Sequence, residues 1–147
     1  MRGKVNFIVL VAIASITSTA VFAGDIKVNI ENIRNDRGRM QIAVFNSEAS
    51  FDQQNADSAF AAISIAARKG SQSITLHDVP SGSYAIAIHH DENANGEFDV
   101  SARKFPEEGF AYSNNVGADK EVTPFSDAVF DVSDTGGTHN IEMIYIK

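Results

Sequence analysis

The chain has 147 residues, 12 basic and 19 acidic, with a formal charge of −7 and no cysteine. An acidic surface repels phosphate backbones and anionic lipid headgroups, which argues against nucleic acid as a partner. The absence of thiols excludes disulfides, a lipidated N-terminal cysteine and thiolate metal sites, so an apolar core must hold the fold.

Residues 1–23 read as a cleaved secretory leader. Arg2 and Lys4 give a positive start, residues 7–16 are largely apolar, and Val21-Phe22-Ala23 supplies an A-x-A-like cleavage site. The apolar run is too short for the roughly 20 residues that span a bilayer. The expected mature domain is 24–147, exported to the periplasm or secreted, and not an integral membrane protein once cleaved. Losing Arg2 and Lys4 leaves 10 basic residues against 19 acidic ones, a charge of −9 that favours divalent cations.

The mature chain reads as strands. Ile26, Val28 and Ile30 alternate with Lys27, Asn29 and Glu31, which gives a strand with one wet face. Asn35-Asp36-Arg37-Gly38 is turn chemistry, and Met40, Ile42 and Val44 then alternate again, so the first two strands read as a hairpin. Residues 47–58 are polar, a loop or short helix. Residues 60–67 are alanine-rich, and Ile63-Ser64-Ile65 tips them toward strand.

A short strand at 73–76 follows the Lys69-Gly70 turn. Residues 83–90, after Val79-Pro80-Ser81-Gly82, put Tyr84, Ile86 and Ile88 on one face and Ala85 and Ala87 on the other. Residues 101–126 read as a long aromatic-bearing loop, and 128–132 and 140–146 as the last strands. The pattern predicts an all-β fold, an antiparallel β-sandwich of about seven strands, transthyretin-like or immunoglobulin-like.

The most informative motif is Asp91-Glu92-Asn93-Ala94-Asn95-Gly96-Glu97-Phe98-Asp99. Oxygen-bearing side chains recur at every second position, then a glycine permits a sharp turn. A calcium ion takes six to eight oxygens from carboxylates, amides and carbonyls at about 2.3–2.6 Å. Asp91, Asn93, Asn95, the Glu97 carbonyl and Asp99 supply the front half of that scheme. The twelfth position, where a helix–loop–helix calcium site places a bidentate glutamate, is Ala102, so this is not an EF-hand. If the long loop folds back, Glu107, Glu108 or Asp127 can add a further carboxylate, with Glu108 the first candidate. The rival reading is a bare Asn95-Gly96 turn between strands.

His89 and His90 suggest a transition metal or a carboxylate-held base. Neighbouring strand residues face opposite ways, so the pair cannot easily share an ion. His90 is in phase with Ile86 and Ile88, which predicts a core-edge histidine bonded to backbone; His77 and His139 lack a partner pattern. Phe110, Tyr112, Asn114 and Asn115 mix rings with amides, as glycan- or peptide-binding surfaces do; the rival reading is a structural lid pinned over the open end of the sandwich by phenylalanines. Nucleophilic catalysis is unsupported, since there is neither a G-x-S-x-G elbow nor a cysteine. No catalytic residue is assigned.

Three segments resemble a bacterial exported family known as domain of unknown function twenty-one forty-one. They are His90-Asp91-Glu92-Asn93-Ala94-Asn95-Gly96-Glu97-Phe98-Asp99, Pro106-Glu107-Glu108-Gly109-Phe110-Ala111-Tyr112-Ser113-Asn114-Asn115, and Phe125-Ser126-Asp127-Ala128-Val129-Phe130. Ala94 and Ala111 stand where that family tends to have glycine. The resemblance implies export and a β-fold, and no reaction. Val79-Pro80-Ser81-Gly82-Ser83-Tyr84 is similar to a strand entry of transthyretin-like modules. Three functions stay open: a calcium-stabilised module binding an envelope glycan or protein; a metal-supported hydrolase using Glu107 or Glu108 with Asp127; and a purely structural envelope protein.

Overall fold

A computed structural model describes residues 23–119 and 122–146; the expected leader lies outside them except for Ala23. Eight strands appear among the described residues: β1 (Ala23–Ile33), β2 (Arg39–Phe45), β3 (Ala61–Ala66), β4 (Gly70–Pro80), β5 (Gly82–Asp91), β6 (Gly109–Tyr112), β7 (Phe130–Val132) and β8 (Gly137–Glu142). Two short helices, α1 (Glu48–Gln53) and α2 (Phe125–Ala128), lie between strands. None of the described helices is long and apolar enough to cross a membrane.

The strands form two sheets, as the alternation predicts. One is three-stranded, in the order β4-β1-β8; the other is five-stranded, β3-β2-β5-β6, with β7 also pairing β5. β6 and β7 share one side of β5 end to end: β6 meets 87–90 and β7 meets 82–84. All pairings are antiparallel except β1 with β8, which is parallel. The inner faces close on one core of Ile26, Val28 and Ile30 from one sheet and Met40, Ile42, Val44, Ile86 and Ile88 from the other.

The expected hairpin of the first two strands is not formed. β1 pairs β4 and β8, while β2 pairs β3 and β5, so the 35–38 turn carries the chain from one sheet to the other. Alternation reports which face of a strand is dry; it does not report whether the neighbour in sequence lies beside it or across the core. Gly38 is required at that crossing. Its φ is +65°, and a Cβ there would stand 1.9 Å from the Asp91 carbonyl oxygen.

A second cluster packs on the outer face of the larger sheet. Ser47 caps α1 by accepting from the Ser50 N–H at 3.2 Å, and α1 drops Phe51, fully buried, against Phe45 and Phe125. The segment expected as one long loop holds β6, a 3₁₀ turn at Ser113–Asn115, and α2. β6 contains only four residues, too few for alternation to stand out.

Candidate functional site

Strand β5 delivers the site. Its inner face carries Ile86, Ile88 and His90; its outer face carries Ala87, His89 and Asp91. His90 is fully buried, with Nε2 2.9 Å from the Arg37 carbonyl and Nδ1 2.8 Å from the Tyr145 hydroxyl. That is the core-edge role expected of it. His89 faces the other way, so the two rings do not share a ligand position. Among the described residues no group of three or more His, Asp or Glu side chains is placed to hold a metal ion.

Within the 91–99 loop, Asp91, Asn93, Asn95 and Asp99 bond to one another and to the loop backbone. The Asp91 carboxylate, 1% exposed, accepts the Gly96 N–H at 2.9 Å and the Asn95 N–H at 3.1 Å. The Asn93 amide oxygen accepts the Asn95 N–H at 3.1 Å, and the Asn95 amide oxygen accepts the Glu97 N–H at 2.8 Å. Both amide nitrogens turn to one acid: Asn93 Nδ2 donates to Asp99 at 2.6 Å and Asn95 Nδ2 at 3.2 Å. Gly96 takes φ +80° with open space around it, the conformation its position in the motif calls for. Asn93, Asn95 and Asp99 therefore meet at one place, with Asp91 directly beneath through the loop backbone.

Glu108 is the acid from the later segment that reaches this loop. It is 5% exposed. Its Oε1 accepts the Glu92 N–H at 2.9 Å, and its Oε2 accepts the Asp99 N–H at 3.2 Å and lies 2.6 Å from His89 Nε2. The carboxylate thus ties the two ends of the loop together and orients His89. Glu107 serves by its backbone: its N–H bonds the Asp99 carbonyl and its carbonyl accepts from Arg34. Asp127 lies in α2, where its carbonyl accepts from Asn114. Glu108 immediately precedes β6, whereas Asp127 is tied by its backbone to Asn114, which follows it.

The proposed ligand surface divides in two. Phe110 and Tyr112 point outward from β6 and, with Phe98 and His89, wall a groove of about 710 Å³ on the outer face of the larger sheet. Phe98 stands edge-on to both His89 (5.1 Å between centroids) and Phe110 (6.1 Å). Ala43, Ala62 and Ala87 form a low floor, crossed by a polar row of Ser64, Gln41 and His89. Burial raises the Tyr112 hydroxyl above its ordinary pKa.

Asn114 and Asn115 do not join that surface. Asn114 Nδ2 donates to the Asp127 and Val129 carbonyls, and the Asn115 amide takes up the Asn140 carbonyl and the Glu142 N–H of β8. They are spent on binding the 3₁₀ turn to α2 and to the opposite sheet. Asn115→Ala is expected to cost about 1 kcal/mol, the usual worth of such bonds at an exposed site. Paired urea melts check this.

The sequence reading missed the contacts that fix Glu92. Its carboxylate, 6% exposed, accepts from Asn35 Nδ2 at 2.7 Å, Arg34 Nε at 2.7 Å and Arg37 Nη2 at 2.9 Å. Burial pushes this acid up, but the hydrogen bonds from Asn35, Arg34 and Arg37 outweigh burial and bring its pKa down to about 2. Glu92 is thereby committed to the 34–37 turn and turned away from the loop interior. The signal was present as a cluster of Arg34, Asn35 and Arg37 in a turn, but only the crossing of the sheets sets it beside residue 92.

Neither the curated proteins nor the solved structures contain a match to this chain. A family model does match, over residues 28–140, from the second half of β1 to the middle of β8 and so across both sheets, the loop and Glu108. On that span the chain belongs to the family described as "Uncharacterized protein conserved in bacteria (DUF2141)".

Proposed function

We propose that the protein is an exported binding module in which one calcium ion closes the 91–99 loop and the outer-sheet groove receives an envelope glycan. The observation that carries the ion is the meeting of the Asn93 and Asn95 amides on the Asp99 carboxylate. Each amide oxygen accepts one loop N–H and keeps a second lone pair, so a partial turn of the two amides that swings those oxygens toward Asp99 would offer a cation three oxygen-bearing groups without giving up the loop bonds. Asp91 and the Glu97 carbonyl complete the set, and Glu108 holds the frame around it. With two carboxylates among the donors, affinity falls in the range of about 10⁻⁴–10⁻³ M typical of extracellular modules.

The groove supports the glycan. A floor of alanines leaves room for a ring, the aromatic wall offers apolar faces, and Gln41, Gln54 and His89 line it with hydrogen-bonding groups. Among the described residues no lysine or arginine lines it, while Arg103 and Lys104 line the neighbouring pocket on the other side of Phe98, Phe110 and Tyr112. Phe98 links the two parts, because it rides on the loop and walls the groove.

Calcium at about ten times its dissociation constant is expected to stabilise the domain by roughly 1.4 kcal/mol. Thermal melts with millimolar calcium and with chelator measure it. Asp99→Asn, which keeps the shape and removes the charge, is expected to abolish the difference; equal melts for the parent protein in both buffers would refute the ion. Tyr112→Ala is expected to lose retention on envelope polysaccharide and to keep the calcium shift, so the two halves of the reading fail separately.

A further inference from the structure

We infer that β3 is a self-pairing edge, through which two copies of this chain join antiparallel into one continuous sheet. The sequence Ala61-Ala62-Ile63-Ser64-Ile65-Ala66-Ala67 reads the same in both directions. An antiparallel pair centred on Ser64 therefore sets each residue opposite its own kind: alanine on alanine, isoleucine on isoleucine, serine on serine. A two-fold interface requires such self-complementarity.

The backbone is aimed correctly. Ala67 N–H donates to the Gly38 carbonyl, which continues the ladder between β2 and β3. Counting back by twos, residues 61, 63 and 65 exchange bonds with β2, whereas 62, 64 and 66 turn theirs to the open side. Two side-chain contacts agree. Arg39 Nη2 reaches the Ser64 carbonyl at 2.9 Å, and Gln72 Nε2 reaches the Ala66 carbonyl at 2.8 Å. Each carbonyl keeps a second lone pair for an incoming N–H. On the core side, Ile63 and Ile65 are only partly buried although they pack on the core. In the proposed register Ile63 faces Ile65 of the second copy in a non-hydrogen-bonded pair, the closer of the two spacings, and both gain cover.

The other side of the sandwich is closed. β6 exchanges N–H and C=O with Ile144, and β8 is capped by Asn115. β4 is also an edge, but it bends at Asp78, whose φ is +55°, and its sequence has no such symmetry. β3 carries neither charge nor proline, the usual guards of an edge strand. Its flanks are complementary: Asp57 precedes it and Arg68 and Lys69 follow it, so antiparallel pairing brings the basic end of one copy beside the acidic end of the other. The contact is small, so its expected dissociation constant is on the order of 10 μM. Paired residues share a face, so the two grooves, each reaching Ser64, would lie side by side on one surface.

Because the chain has no cysteine, crosslinking reads the register directly. Hydrogen-bonded antiparallel partners stand about 5.5 Å apart at Cα, within disulfide reach. Ser64→Cys is expected to form a disulfide-linked dimer under mild oxidation at about 100 μM protein, well above the expected constant. Ala62→Cys, whose partner would be Ala66, is expected to stay largely uncrosslinked, and the double variant Ala62→Cys/Ala66→Cys to crosslink like Ser64→Cys. Sedimentation of the parent protein is expected to shift from monomer to dimer across the same concentration range. Ser64→Pro removes an outward N–H without touching the ladder to β2, and is expected to hold the monomer with its melt little changed. A parent chain that remains monomeric at about 100 μM, with Ser64→Cys crosslinking no faster than Ala62→Cys, overturns the proposal and leaves β3 to a different partner.

Discussion

Glu108→Gln is expected to cost about 3 kcal/mol and to loosen the whole 91–99 loop. The carboxylate accepts two backbone N–H groups, from Glu92 and Asp99, and stands 2.6 Å from His89. Hydrogen bonds to a charged group contribute about 1.5–3 kcal/mol. A glutamine amide keeps one acceptor oxygen and sets an NH₂ where a second acceptor is needed, so one buried N–H or the His89 ring loses its partner. Urea denaturation gives the magnitude, and amide exchange locates the change. The Glu92 and Asp99 amides are expected to exchange much faster, and those of the β1 centre to follow only the global loss. Phe98 is expected to move with the loop, so the groove wall loosens alongside it. Unchanged exchange at Glu92 and Asp99 would sink this account of Glu108. The effect precedes any ion, so it is expected in chelator as well as in calcium.

The layers of the fold were legible because the strands are half-wet. Ile26, Val28 and Ile30 against Lys27, Asn29 and Glu31 state a strand and its dry side, and the structure buries the three apolar residues completely. What such a pattern omits is the partner. β1 and β2 present their dry faces to the same core from opposite sheets, and turn residues at 35–38 serve a crossing as readily as a hairpin. β1–β8 pairing joins residues more than a hundred positions apart, and no local signal encodes it.

The site was legible to the extent that it is local. The alternate oxygens of the 91–99 loop fold toward one another through contacts of two to six residues' separation, within reach of a motif reading. His90 was legible for the same reason, through its phase on β5. His89 with Glu108 was not, because β6 must first align beside β5 to place them together. Asn114 and Asn115 misled through composition. Amides beside rings suit a ligand surface and equally suit the capping of unpaired backbone, and only the position of β8 and α2 decides.

Glu92→Gln is expected to cost about 2 kcal/mol at pH 7 and almost nothing near pH 2. Asn35, Arg34 and Arg37 hold this carboxyl at about 2, well under its ordinary 4.5. A depression of that size corresponds to about 3 kcal/mol at full weight. The Arg34 and Arg37 side chains are 40% and 69% exposed, so solvent screens them and about 2 kcal/mol is the figure to expect. A lowered carboxyl stabilises the fold fully above its unfolded pKa and loses that contribution as pH falls through its folded value. The parent protein's stability is therefore expected to decline between about pH 5 and pH 2 through this acid, and the glutamine variant to lack that part of the decline. Urea titrations of both proteins at stepped pH give the difference curve. A gap of equal size at pH 7 and pH 2.5 would show that Glu92 acts by shape alone. The contact also decides where the loop starts. Arg34 lies over the Tyr145 ring at 4.6 Å and donates to the Glu107 carbonyl, while Tyr145 meets His90. Protonating Glu92 is thus expected to release the 34–37 turn from residues 91–92 first, before the sandwich itself opens.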